Sequence, residues 1–201
     1  MPLNERIVNW LGISRWPVAL RHPAIKALLK RKRLRSFPFS VRLGDLLYEG
    51  DAANLIDYHV LTRGGFEPGL DRLLADWSRY RRARDKVFVD VGANSGLHTI
   101  QASPFYGQVH AFEPYPPMFE RLQHSIRTNG LTNIVAHRVA LSDNDGEVLF
   151  RAPEPGNTGT GSIVDDGDAA EQKGLIRVQT AKGDGYLDGS VAEVGAIKID
   201  V

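Results

Sequence analysis

The sequence predicts an α/β protein, a doubly wound parallel sheet preceded by a helical N-terminal extension, and three observations carry that expectation. VFVDV at residues 87–91 is a continuous β-branched and aromatic run, the pattern of a parallel strand buried on both faces. Strand-like and helix-like segments alternate after it, which demands crossover connections and hence parallel neighbours. The turn that follows the first run, DVGANSG, is rich in small residues where a strand must pass into a helix.

The elements follow in order. Residues 1–35 have a helical pattern that SFPF at 36–39 breaks, Pro38 pushing Phe37 toward extended geometry. This suggests a basic helical extension over 1–37 and a main domain over 38–201. SVRLGDLLYEG, from Ser40, predicts two short strands around Gly44 and Asp45, and residues 52–63 a helix stopped by Gly64 and Gly65. A helix over 69–80 carries Leu70, Leu73, Leu74 and Trp77 at helical spacing, the signature of a face packed on the sheet. After VFVDV come a helix over 96–102, a strand QVHAF at 108–112, and a helix opened by Pro116 and Pro117 with Phe119, Leu122 and Ile126 on one side. Asn129 and Gly130 end it. NIVAHRVAL at 133–141 is a third strand, and a turn at 143–146 leads into GEVLF, an antiparallel excursion. Residues 151–174 are rich in Gly, Asp, Pro and Thr and predict a mobile loop or lid, before LIRVQT and AIKIDV restore strand character.

Composition narrows the function classes. The 201 residues contain no cysteine, which removes disulfides, thiolate metal sites and a cysteine nucleophile. No apolar run approaches the roughly 20 residues that cross a bilayer, and the first 20 mix Glu5, Arg6, Arg15, Trp10 and Trp16, unlike a signal-peptide core; a cytoplasmic protein is expected. The net charge of +1 hides an asymmetry, since residues 1–35 hold nine Lys/Arg against Glu5 alone. The segment 24–35, AIKALLKRKRLR, suits a solvated helix or peripheral contact with an anionic membrane, and it lacks the aromatic interleaving of a single-strand nucleic-acid platform. His59, His110, His124 and His137 lack metal-ligand spacing, and Asp165, Asp166 and Asp168 lack the pattern of a calcium loop, so no metal is predicted.

The chemistry concentrates in residues 90–96 and Glu113. A nucleotide-type ligand at the carboxyl end of a parallel strand needs a turn where backbone can approach it. Gly92 and Gly96 remove Cβ there, and Asn94, where a third glycine would serve, is among the few residues that tolerate a left-handed conformation. Glu113 lies 21 positions after Gly92, just beyond QVHAF, where a carboxylate can accept from both hydroxyls of an adenosine ribose. A dinucleotide fold would favour G-x-G-x-x-G against a pyrophosphate. Here the loop is preceded by Asp90, an acid that repels phosphate and suits the cationic methionine end of S-adenosylmethionine.

VFVDVGANSGLHT, VHAFEP, NGLTNIVAHRVALSDNDGEV and AIKIDV, with GGFEPGL upstream, together resemble the FkbM-type methyltransferases over roughly residues 60–201. The resemblance implies a class I methyltransferase (Rossmann-like) fold, S-adenosyl-L-methionine as cofactor, and methyl transfer to a hydroxyl of a sugar, polyketide or other secondary metabolite; the acceptor is a small molecule or glycan, with no nucleic acid expected. Carried over by motif, Asp90, Gly92, Ala93, Asn94 and Gly96 would hold the methionine part, Glu113 the ribose, and Ala140, Leu141 and Ser142 the adenine, while Asp200 matches the acid ending the fourth strand. The family continues past I-K-I-D-V into Glu-Gly and further strands, so the sheet is expected to be incomplete after the fourth core strand, with AIKIDV an exposed apolar edge. Methyl transfer needs alignment and a base, for which His98 and Asp200 are the candidates. An inactive remnant of such an enzyme and a dinucleotide-dependent oxidoreductase are the competing readings.

Overall fold

The computed structural model describes residues 3–14, 18–29, 36–164, 174–187 and 193–201. Its chain forms two compact units, residues 1–68 with 155–158, and residues 69–154 with 159–201.

The first unit contains helices α1 (Leu3–Ile13) and α2 (Val18–Leu29), a hairpin of β1 (Pro38–Leu43) and β2 (Leu46–Asp51), and helix α3 (Leu55–Arg63). The hairpin pairs antiparallel from Pro38 opposite Asp51 to Leu43 opposite Leu46, and Gly44 supplies the positive φ of its turn. Asn54 caps α3 through the amides of Ile56 and Asp57, and Gly64 ends it in the left-handed conformation. The buried Asp57 carboxylate ties helix to hairpin, accepting from the Tyr48 hydroxyl at 2.6 Å and the Asp51 amide at 2.9 Å. The division into compact units follows Pro68. The break at Pro38 is real, but β1 packs on α1, with the Ser40 amide donating to the Asn9 side chain at 2.8 Å, so hairpin and helices share one core. In the basic segment 24–35, residues up to Leu29 belong to α2 and residues 30–35 lie outside the described residues.

The second unit holds the parallel sheet. Its strands are β3 (Val87–Val91), β4 (Gln108–Phe112), β5 (Ile134–His137) and β10 (Val194–Ile199), arranged β10-β3-β4-β5 with every pair parallel. The chain advances from β3 through β4 to β5 and then returns to the opposite side of β3. This reversal is the switch point of a doubly wound, Rossmann-like sheet, where ligands bind beyond the carboxyl ends of the strands. All five residues of β3 are buried, as its apolar run predicts. On one face Phe88 and Val109 pack with Leu74 of helix α4 (Pro68–Tyr80) and Ala102 of helix α5 (Leu97–Ala102). Farther along that face, Ala111 packs with Ala93 and with Leu122 of helix α6 (Pro116–Thr128). On the other face Val87, Val89, Val91 and Phe112 pack with Val139, Leu141, Ala181 and Tyr186.

A smaller sheet of β6 (Ala140–Leu141), β7 (Gly146–Arg151), β8 (Ser162–Val164) and β9 (Leu175–Ala181) runs in the order β6-β9-β7-β8, and a single turn, α7 (Asp184–Leu187), leads from it toward β10. Three expectations change here. NIVAHRVAL is two strands in two sheets, β5 on β4 and β6 parallel to β9, because an apolar pattern reports extended backbone and not the partner it meets. The segment 151–174 contributes β8, antiparallel to β7 opposite Leu149, Phe150 and Arg151, a three-residue strand too short to stand out from its Gly-rich surroundings. Residues 165–173, with Asp165, Asp166 and Asp168, lie outside the described residues. On α4, Leu74 is buried while Leu73 and Trp77 are exposed; the Trp77 indole N–H donates to the Gly195 carbonyl at 2.8 Å and its ring lies under the Arg81 guanidinium. Helical spacing marked an apolar stripe broader than the sheet covers.

Strand β10 is the edge of the sheet, and Ile197 and Ile199 on it are 56% and 68% exposed. Among the described residues no helix is long and apolar enough to cross a membrane.

Candidate functional site

At the carboxyl end of β3 the chain turns through residues 92–96 into α5. Gly92, Asn94 and Gly96 all have positive φ, at 75°, 51° and 85°. Asn94 thus adopts the left-handed conformation expected of it, and its side-chain oxygen accepts from the Ser95 amide at 2.8 Å, the local bond that makes asparagine tolerable there. The turn packs from both sides. A Cβ on Gly92 would lie 1.9 Å from the Asp200 carbonyl oxygen, and one on Gly96 would lie 2.5 Å from Leu122 Cδ1. The amides of Gly92 and Ala93 both donate to the Phe112 carbonyl at 3.0 Å, fastening the turn to the end of β4.

Glu113 follows β4 and faces that turn. Its Oε2 accepts from the Asn94 amide at 2.7 Å and its Oε1 from the Tyr115 amide at 2.8 Å. Only 6% exposed, it has its carboxyl pushed up chiefly by burial, opposed by the two amide bonds; nearby Asp90 raises it further and Lys198 lowers it. Each oxygen keeps a second acceptor direction for a ligand donor.

Asp90, at 0% exposure, spends both oxygens inside the protein. Oδ2 accepts from the Thr99 hydroxyl at 2.6 Å and Oδ1 from the Lys198 ammonium at 3.1 Å. Asp90 thereby holds strand, helix and edge strand together, and its charge is met by Lys198. Two further acids lie near the strand ends, Glu113 and the exposed Asp200, whose Oδ2 lies 3.7 Å from the same ammonium.

The remaining candidates separate. His98 is buried on α5 with Nδ1 3.0 Å from Asp71 Oδ1 of α4, and Gln101 donates to the other Asp71 oxygen at 3.2 Å. Ala140 and Leu141 pair with Thr180 and Ala181, and the Ser142 amide donates to the Ala181 carbonyl, placing these three in the smaller sheet. Lys198 and Thr99 were not foreseen. The signal existed: Asp90 and Lys198 are each the charged residue inside an otherwise apolar strand run, and the register sets them opposite one another.

A second buried polar group lies on the other face. His110 Nδ1 is 3.1 Å from His137 Nε2, and His137 stacks on Phe112 and meets the Tyr186 edge. His110 Nε2 is buried with no hydrogen-bond partner. Burial, then the neighbouring His110, lowers His137 to about 4, and burial also lowers His110. A histidine depressed in the folded state is charged first in the unfolded chain, so folding loses stability as pH falls from about 6.5 toward 4. Urea unfolding across that window is expected to show wild type losing roughly 2 kcal/mol more than His137→Gln; parallel curves would refute the assignment. Among the described residues no group of three or more His, Asp or Glu is placed to hold a metal.

No family model and no curated protein matches the sequence. Solved structures with partial similarity include M. jannaschii TYW2 in complex with AdoMet, at 18% identity over 52% of this chain and 44% of that one, TM-score 0.39. An rRNA methylase from Streptococcus thermophilus is 14% identical over 34% of this chain and 38% of that one, TM-score 0.32. A precorrin-6y C5,15-methyltransferase from Geobacter metallireducens is 19% identical over 35% and 38%, TM-score 0.31. The chain spans less than half the length of each.

Proposed function

We propose that the chain is an S-adenosylmethionine-dependent methyltransferase of the FkbM type, acting on a hydroxyl of a sugar or secondary metabolite. The observation that carries this reading is Glu113, a buried carboxylate oriented by the amides of Asn94 and Tyr115 beside a left-handed glycine turn at the switch point of the sheet. Two acceptor oxygens held rigidly at that place fit a pair of ribose hydroxyls. The donor set also fits a cation, since Lys198 matches Asp90 while Glu113 and Asp200 leave net negative charge at the strand ends. S-adenosylmethionine would supply an activated methyl group, leaving the protein to align the acceptor and remove its proton. In this reading the backbone of residues 92–96 holds the methionine portion and Glu113 the ribose. Asp200, exposed at the end of β10, is the base better placed to meet an acceptor; His98, turned to Asp71, orients α5 against α4.

Calorimetric titration with S-adenosylhomocysteine tests the cofactor. Saturable binding with no heat from NAD+ or NADH is expected. Binding of a nicotinamide dinucleotide without S-adenosylhomocysteine would replace this reading with an oxidoreductase, and binding of neither would reduce the chain to a non-binding remnant.

A further inference from the structure

We propose that Lys198 is the positioning residue of the ligand turn, clamping the peptide between Gly92 and Ala93 so that the Asn94 amide stays aimed at Glu113. The inference deepens the reading above as regards the ligand, and its structural half stands without it.

Lys198 sits in β10 directly opposite Asp90 of β3, and its side chain is 8% exposed. An ammonium has three donors and no acceptor. Around this one lie Asp90 Oδ1 at 3.1 Å, the Gly92 carbonyl at 3.4 Å and Asp200 Oδ2 at 3.7 Å. These oxygens belong to the strand, to the turn and to the residue after β10. The Gly92 carbonyl is the informative one, because neutralising Asp90 requires no contact with it. That carbonyl and the Ala93 N–H are opposite ends of one peptide plane. Lys198 holds the first end, and the Phe112 carbonyl accepts from the second at 3.0 Å. Rotation of the plane would break both bonds and swing away the next amide, that of Asn94, which meets Glu113 at 2.7 Å. The Asp200 carbonyl fills the space where a Gly92 side chain would stand, so the end of β10 braces the turn sterically as well as by charge.

The alternative is that Lys198 is only a counter-charge for a buried acid. Lys198→Met alone leaves Asp90 buried without its cation and should lower stability under either view. The paired Asp90→Asn/Lys198→Met variant removes both charges, and in it the two views part. With stability in urea recovered, the Asn94 amide is expected to exchange hydrogen about tenfold faster than in wild type, while the β4 amides keep their protection; S-adenosylhomocysteine should bind about tenfold more weakly. Asp90→Asn alone, which retains the lysine and its bond to Gly92, should hold Asn94 exchange within about threefold of wild type. Return of Asn94 protection in the paired variant, or equal loosening in Asp90→Asn alone, would overturn the proposal. Should wild type fail to bind S-adenosylhomocysteine, the cofactor reading falls while exchange in the ligand-free chain still decides the role of Lys198.

Discussion

Gly92→Ala is expected to be the most damaging single-methyl addition in the parallel sheet unit, lowering stability by about 3 kcal/mol or more and abolishing S-adenosylhomocysteine binding. Two costs add. An L-residue held at φ 75° loses on the order of 1–2 kcal/mol relative to glycine. The new Cβ would also stand 1.9 Å from the Asp200 carbonyl oxygen and 3.0 Å from its carbon, in a residue whose amide is held to β3 by donating to the Val91 carbonyl at 3.1 Å. Relief requires the Asp200 carbonyl to turn away, β10 to part from β3, or the turn to lift from the end of β4. Gly130→Ala is the control within the same unit, since φ is 60° there and nothing lies within 4 Å of the added atom. It bears the conformational cost alone. Urea unfolding of the two variants separates the terms, and a Gly92→Ala loss no larger than that of Gly130→Ala would show that the turn does not press on β10.

The same contact explains what a sequence can and cannot disclose here. VFVDV and QVHAF are legible as buried strands because burial on both faces leaves no polar alternation; AIKIDV carries the same apolar run at the edge, with Ile197 and Ile199 exposed, and the structure makes all three adjacent parallel strands. The positive φ at Gly92, Asn94 and Gly96 is legible for a related reason, since few residue types tolerate it. Which strand an extended segment pairs with is a long-range property, so NIVAHRVAL divided between two sheets without any local mark of the division. The partners of Asp90 are long-range in the same way. As a residue type it reads as a free charge at a ligand site; only the register opposite Lys198 and the Thr99 hydroxyl on α5 show that each oxygen already accepts from the protein. Helical spacing placed Leu73 and Trp77 on a buried face, yet the sheet reaches only as far as Leu74 and Leu70. Local chemistry, in short, shows what a residue can do, and tertiary contacts decide which of those capacities is left over for a ligand.

Glu113 is where the leftover capacity is largest, and its removal should have the greatest effect on binding. In Glu113→Ala the Asn94 and Tyr115 amides lose their acceptor and the ligand loses both carboxylate oxygens. Hydrogen bonds to a charged group contribute about 1.5–3 kcal/mol each, so loss of two to the ribose corresponds to roughly 10²–10⁴ in affinity for S-adenosylhomocysteine. Glu113→Gln isolates the charge. The amide keeps one oxygen for one of the two backbone donors and turns an NH2 group toward the other, so it should bind about tenfold or more below wild type yet above the alanine variant. Acid should mimic these losses in the native protein: burial has pushed the Glu113 carboxyl upward, and the ionised form is the one with acceptors on both oxygens, so affinity is expected to fall as pH drops through the raised value, at a pH above that of an ordinary glutamate. The free protein responds in the opposite sense at this residue, because a carboxyl raised by folding is stabilised when protonated. Weaker binding without weaker folding at Glu113 in mild acid is therefore the signature of a carboxylate held ready for a ligand, and calorimetry at pH 5 and pH 7.5 on wild type and Glu113→Gln reads it directly. Equal affinities for the two proteins at both pH values would remove Glu113 from the binding site.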